Sequence, residues 1–395
     1  MDFNLTEEQA MLKDSVERFL EKNFSFNQRR QMLADRQPMS VPLWQGLASL
    51  GVLGVPFPPD QGGFGGGGVE TMLVMQALGR NLALEPYLAT VVLAGGCVAL
   101  AGSERQQHSL LPKIIDGSSI LAFAHGEPNA RFDLGHVDTR AVRKGNGFVL
   151  EGAKTLVLHG SVADKFVVSA RTAGNPGDAR GVTLFLVDAH EQNLGGQEYP
   201  LFDGTRALDL QLGGVELAQE AVIGSLDEAM PIIDTVLDRA MAALCAEAVG
   251  VMDALHAATL EYLKTRQQFG QPIGRFQVLQ HRAVDMLIQI EQARSMALLA
   301  ASKVDSADVL ERRRTVAAAK EMAGRAGRFV GQQAVQLHGG MGMTDELNVS
   351  HYFKRLTAID VLFGNAAAQR TRFATLQKDD AGAHQQPARK SWVRI

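Results

Sequence analysis

The hydrophobic period changes twice along the 395-residue chain, and this predicts a mainly α protein with a central β domain. The expected order is an N-terminal helical domain (1–118), a small antiparallel β-barrel (119–226) and a C-terminal four-helix bundle (227–377), with a flexible tail (378–395). Helical spacing holds at both ends, and short alternating segments separated by turn residues lie between them.

Thr6 followed by Glu7 and Glu8 starts the first helix, and Met11, Leu12, Val16 and Leu20 supply its apolar spacing. Trp44–Leu53 and Glu70–Leu82 are further helices. Between them lies the run from Pro56 to Gly68, where Gly63, Gly65 and Gly68 satisfy G-x-G-x-x-G. Prolines precede this glycine spacing where a dinucleotide turn needs a strand, and no βαβ unit follows, so it reads as a surface turn. Near Ser118 the period shortens. Ile120–Ala124, Asp138–Arg143, Phe148–Glu151, Lys165–Ala170, Val182–Val187 and Leu208–Leu212 are strand candidates with no helices between them. From Asp227 the helical period returns over 227–268, 275–303, 306–337 and 345–376, and small residues at Ala323, Gly324, Gly327 and Gly331 permit close helix approach.

Composition excludes several classes of function. The net charge of −4 and pI near 6.2 offer no basic surface for nucleic acid. No uninterrupted apolar run reaches the roughly 18–20 residues of a membrane span. The acidic, amphipathic start is unlike a leader peptide, and Cys97 and Cys245 sit in apolar surroundings as free thiols, which suits a reducing cytoplasm. No His, Cys, Asp or Glu spacing resembles a metal site.

Two distant segments carry the chemistry. One runs from Arg266 through Gln268, Phe269 and Gly270 to Gln277, and the other runs Gln336-Leu-His-Gly-Gly-Met-Gly. Together they offer a cation, amide side chains and glycine N–H groups, which suit the phosphates and adenine of a dinucleotide. Taken singly, Gly339-Gly340 could be a helix cap and Arg266 a solvated cation. In this order the pair resembles the acyl-CoA dehydrogenase flavoproteins, and the resemblance extends over roughly residues 1–375. It implies FAD as cofactor, an acyl-CoA substrate, a tetramer and an electron-transfer flavoprotein as acceptor. It also implies that Arg266, Gln268, Phe269, Gln277, Gln336, Gly339, Gly340 and Asn365 contact FAD, much of it held by a neighbouring subunit.

The match is uneven. The family's Thr-Glu-Pro…Gly-Ser-Asp loop corresponds to Gly126-Glu127-Pro128…Arg131-Phe132-Asp133, and Leu156 and Leu158 stand where Trp and Thr meet the flavin ring. The family base is a glutamate late in the chain; here Phe363 occupies that place, and Asn365 replaces the following threonine. Some relatives draw the base from the first bundle helix. There Glu247 is the lone charge in the apolar run Ala242–Met252, either a base or a structural group paired with an arginine such as Arg282 or Arg325. Asp360 is a weaker candidate, Asp238 reads as a solvated helix residue, and His338 as a packing and capping residue.

An intact ADP grip with an altered ring cradle suggests one subunit of a heteromeric, α₂β₂-type enzyme, closest to the small-subunit type of bacterial pimeloyl-CoA dehydrogenase. A self-sufficient homotetramer using Glu247, and a silent acyl-CoA-binding or scaffold subunit, are the rivals. A nicotinamide dehydrogenase rests on the proline-flanked glycines alone.

Overall fold

Capping chemistry sets the first helices. In the computed structural model of the chain, which describes residues 4–384, α1 (Glu7–Asn23) opens on a reciprocal cap: Gln9 N donates to Thr6 Oγ1 at 3.2 Å, and Thr6 N donates to Gln9 Oε1 at 3.0 Å. Ser25 and Gln28 repeat the device for α2 (Phe26–Ala34). The helix read over Trp44–Leu53 is shorter: α3 spans Val41–Ser49, and Gly51 at φ 76° turns the chain into a single 3₁₀ turn. α4 (Gly68–Arg80) leads to a π-helical stretch, Tyr87–Ala94, that runs straight into α5 (Gly95–Ala101); α6 (Glu104–Ile115) closes the region. All eight residues of the π-helical stretch are buried, and such wide turns often mark functional sites.

The middle domain is one eight-stranded sheet wrapped around its own apolar core. Its strands are β1 (Leu121–Ala124), β2 (Arg140–Lys144), β3 (Gly147–Leu158), β4 (Lys165–Arg171), β5 (Val182–Asp188), β6 (Leu194–Pro200), β7 (Arg206–Ala218) and β8 (Val222–Ile223). Their order is β6-β7-β3-β2-β4-β5-β8, with β1 beside β4. The pairings are antiparallel except that β1 and β2 both meet β4 in parallel. Sequence reading misses β6 because Leu194-Gly-Gly-Gln-Glu-Tyr-Pro is polar, glycine-rich and mostly exposed at the sheet edge.

In the bundle, α7 (Met230–Thr265), α8 (Gln277–Lys303) and α9 (Val309–His338) are followed by two helices rather than the single one expected over 345–376. These are α10 (Asn348–Val361) and α11 (Ala366–His384). The tail expected over 378–395 begins inside α11, and its remainder lies outside the described residues. α7 is long and apolar enough to cross a membrane, yet it is the buried central helix of the bundle. α4 packs on it through glycines. A Cβ at Gly250 would strike the Gln76 carbonyl, and one at Gly79 would strike the carbonyl of Glu247.

Candidate active site and cofactor grip

A cleft of about 150 Å³ opens where the three regions meet. The π-helical stretch contributes Ala89 and Leu93, the sheet domain contributes His125–Glu127, Arg131, Phe132, Thr155, Leu156 and Leu158, and the α10–α11 link contributes Val361–Phe363. The loop and strand that depart from the family pattern therefore face Phe363 across one space.

Each wall has a local cause. β3 bulges between Lys154 and Val157, which places Leu156 at φ 54° toward the cleft. Asp209 holds the bulge, accepting from Thr155 Oγ1 at 2.6 Å, Leu156 N at 3.2 Å and Tyr199 Oη at 2.9 Å. Burial alone would raise the Asp209 pKa, but these donors bring it below the ordinary value. Opposite, Phe363 (φ 57°) and Gly364 (φ 101°) break the last helix. The break is fixed by the fully buried Lys320, whose Nζ donates to the carbonyls of Asp360 at 2.9 Å and Gly364 at 3.2 Å. Asn365 Oδ1 then caps α11 by accepting from Ala368 N at 3.0 Å.

Among the described residues lining this cleft, Glu127 is the sole carboxylate, and its oxygens are engaged. Oε1 accepts from Lys154 Nζ at 2.6 Å and Thr139 N at 3.0 Å, and Oε2 from Asp138 N at 2.6 Å. Burial opposes ionisation of Glu127, yet Lys154 and these donors hold its pKa below the ordinary value; burial draws Lys154 itself down to about 8. His125 is pushed down to about 4 by burial and by Lys154, and it contacts Ser169 Oγ at 2.9 Å and the Leu134 carbonyl at 2.8 Å. It is a neutral structural ring at pH 7.

Glu247 lies outside this cleft. Its Oε1 accepts from Arg355 Nε at 2.5 Å and its Oε2 from Arg355 Nη2 at 2.8 Å, while Arg355 Nη1 donates to Asp203 at 2.7 Å. Burial works against the Arg355 charge, but the two carboxylates hold the guanidinium protonated beyond its ordinary range. The arginine that meets Glu247 comes from α10, and neither Arg282 nor Arg325 is the partner. Asp238 is not a solvated residue. It is fully buried, accepting from Arg312 Nε at 3.0 Å and Arg372 Nη2 at 2.7 Å. Asp360 is occupied too, taking Arg328 Nη2 at 2.7 Å and capping Ala366 N at 2.9 Å.

The two motif segments meet at the far end of the bundle. Arg266 ends α7, and Gln267–Gln268 pair with Gln271–Pro272 in a two-rung hairpin tipped by Phe269, which is 90% exposed and at φ 53°. Gln277 begins α8, and Gln336 lies in the last turn of α9. Tyr262, one turn before Arg266, stacks at 4.3 Å on His338, which lies within the second motif, and so brings the segments together. The side chains of Arg266, Gln268, Gln277 and Gln336 make no hydrogen bond or ion pair among the described residues, and all four are exposed. Gly339 (φ 60°) ends α9, and a Cβ built on it or on Gly340 would meet nothing within 4 Å. Open backbone, a free guanidinium and free amides at one place fit the diphosphate and adenine of FAD.

The glycine loop is different. Gly65 N and Gly66 N donate to the Phe57 and Val55 carbonyls, both at 2.8 Å, and Gly68 N donates to Asp305 at 3.0 Å. Its N–H groups are consumed within the chain, so it offers no phosphate cradle.

Two helical regions flanking a sheet domain, with a cleft at their junction and unpaired polar groups at the bundle end, have the build of a flavoprotein oxidoreductase. The chain matches the acyl-CoA dehydrogenase N-terminal domain over residues 6–118, the middle domain over 122–213 and the C-terminal domain over 230–375. It is 30% identical to acyl-CoA dehydrogenase FadE27 of Mycobacterium tuberculosis, covering 94% of this chain and 97% of that protein. It is 29% identical to the probable acyl-CoA dehydrogenase YngJ of Bacillus subtilis, over 94% and 98% of the two chains. A chain of the ChsE4–ChsE5 complex from M. tuberculosis superposes with a TM-score of 0.85 at 29% identity, over 98% of this chain and all of that one. The chain belongs to the acyl-CoA dehydrogenase family, whose members are FAD-dependent oxidoreductases.

Proposed function

We propose that this chain is one subunit of a heteromeric acyl-CoA dehydrogenase, the subunit that grips the ADP half of FAD while a paralogous partner supplies the flavin-ring cradle and the catalytic base. The observation that carries this reading is Phe363, which lines the cleft at the family's base position while the cleft's one carboxylate is tied to Lys154. The reaction is removal of an α-proton from an acyl-CoA thioester, for which bound FAD would supply the acceptor of the β-hydrogen as hydride. A general base needs a free carboxylate of raised pKa beside the α-carbon, and this cleft presents none. Arg266, Gln268, Phe269, Gln277, Gln336, Gly339 and Gly340 hold the dinucleotide end, and Asn365 sets the turn into α11 beside the cleft. The similarity to a chain of a two-component complex supports the pairing. The overall resemblance to the small-subunit type of pimeloyl-CoA dehydrogenase is in keeping with this reading, and an electron-transfer flavoprotein is the expected acceptor.

The test is to purify the chain alone and together with a candidate paralogous acyl-CoA dehydrogenase chain from the same organism, then follow flavin absorbance on adding acyl-CoA. Bleaching by the pair and none by the lone chain is the expected result. Full flavin occupancy and turnover by the lone chain would support a homotetramer instead, and a colourless pair that still binds acyl-CoA would support a silent binding subunit.

A further inference from the structure

A second, smaller cavity of about 40 Å³ adjoins the cleft and shares Ala89 and Leu158 with it. Most of its wall is apolar, but three buried polar atoms without partners among the described residues belong to side chains lining it: Glu85 Oε2, Tyr87 Oη and His159 Nδ1. Their side chains are at least nine-tenths buried. Orphaned buried polar atoms are rare, and each is destabilising if left unmet. Three around one small cavity form a set.

Their chemistry specifies the complement. His159 Nε2 stands 2.7 Å from the Leu84 carbonyl and so carries the hydrogen of the neutral ring, which leaves Nδ1 as an acceptor. Glu85 Oε1 accepts from Ser40 N at 3.2 Å, leaving Oε2 to accept or, when protonated, to donate. Tyr87 Oη does either. A group with one hydrogen to give and a lone pair to offer satisfies this set. A carboxylate does not: it brings no hydrogen for His159, and the one cation at the wall, Arg355, is already shared by Glu247 and Asp203. The cavity is large enough for such a group, since about 10–15 Å³ holds one water-sized probe. Ala89 and Leu158 form the wall that the cavity and the cleft have in common.

We propose that this cavity receives an uncharged hydroxyl carried on the acyl group of a thioester seated in the adjoining cleft. The proposal rests on the reading that the adjoining cleft takes an acyl-CoA. It makes the chain a reader of hydroxylated acyl groups. A site built to pair a ligand hydroxyl discriminates strongly against the analogue lacking it, because the polar atoms are then left unmet.

Calorimetric titration of the flavin-loaded protein, with its partner present, tests this. The probes are matched pairs of four-, six- and eight-carbon acyl-CoA thioesters, each with and without a terminal hydroxyl. For one length the hydroxylated thioester is expected to bind at least about tenfold tighter, with that ratio falling to near one in Tyr87→Phe and declining in Glu85→Gln. Equal binding at every length, or a ratio unmoved by both substitutions, overturns the proposal and leaves the three atoms to bound water. If no thioester of either kind binds, the acyl-CoA reading of the cleft falls with it.

Discussion

Replacing Glu247 by glutamine distinguishes a base from a brace. The carboxylate is about 5% exposed and joined to Arg355 by two charge-assisted hydrogen bonds of 2.5 and 2.8 Å, and Arg355 is bound in turn to Asp203 at 2.7 Å. Breaking a buried ion pair from one side costs roughly 3–5 kcal/mol, because the remaining charge is left underpaired. Glutamine keeps the shape and can still accept one bond, and Asp203 still neutralises the guanidinium, so about 2–3 kcal/mol is expected. With a urea m-value of about 3 kcal/mol/M, the upper end of the small-protein range, the unfolding midpoint should drop by about 1 M or a little less. Turnover of the holoenzyme should fall only as its folded fraction falls. A midpoint within about 0.1 M of wild type, with kcat reduced by about a thousandfold or more, would refute the reasoning and make Glu247 the base.

Other outcomes follow from the same geometry. Burial raises Glu85 to about 7, above its unfolded value near 4.5. Its contribution is therefore complete below pH about 4.5, declines as pH rises to about 7 and is flat above that, a span worth roughly 3 kcal/mol. Glu85→Gln should thus gain stability over wild type between pH 5 and 8, and parallel Tm-against-pH curves would contradict this. His125 and His159, both drawn down to about 4 by burial, act in the opposite sense but are common to both proteins. Lys320→Met strands the Asp360 and Gly364 carbonyls; a loss of about 2–4 kcal/mol and faster amide exchange at 362–365 are expected, and unchanged exchange would remove Lys320 from the support of this break.

Much of the fold was legible because long periodic helices and caps such as Thr6 are local signals. What was missed depended on distant partners. The break at Phe363–Gly364 looks like helix continuation until Lys320, on another helix, is seen to satisfy its carbonyls. β6 is an edge strand with too few apolar residues to show a period. Glu247 stood out as a lone charge in an apolar run, but its arginine lies 108 residues away, beyond two intervening helices. Asp238 was misread because neighbouring Arg239 suggested solvent, whereas Arg312 and Arg372 surround it. Glu85 gave no sequence signal at all: beside Pro86 it reads as an ordinary loop carboxylate.

The central claim is that Arg266, Gln336 and the Gly339–Gly340 turn together hold the ADP end of FAD. Its most direct measurement is calorimetric competition on the assembled protein stripped of flavin, using FAD, FMN and ADP in turn, with wild type and the Arg266→Ala, Gln336→Ala double variant. The account predicts tight FAD binding, competition by ADP, weak FMN binding, and a loss of FAD affinity of roughly 100-fold in the variant. FAD binding undiminished in the variant, or FMN binding as tight as FAD, would contradict it.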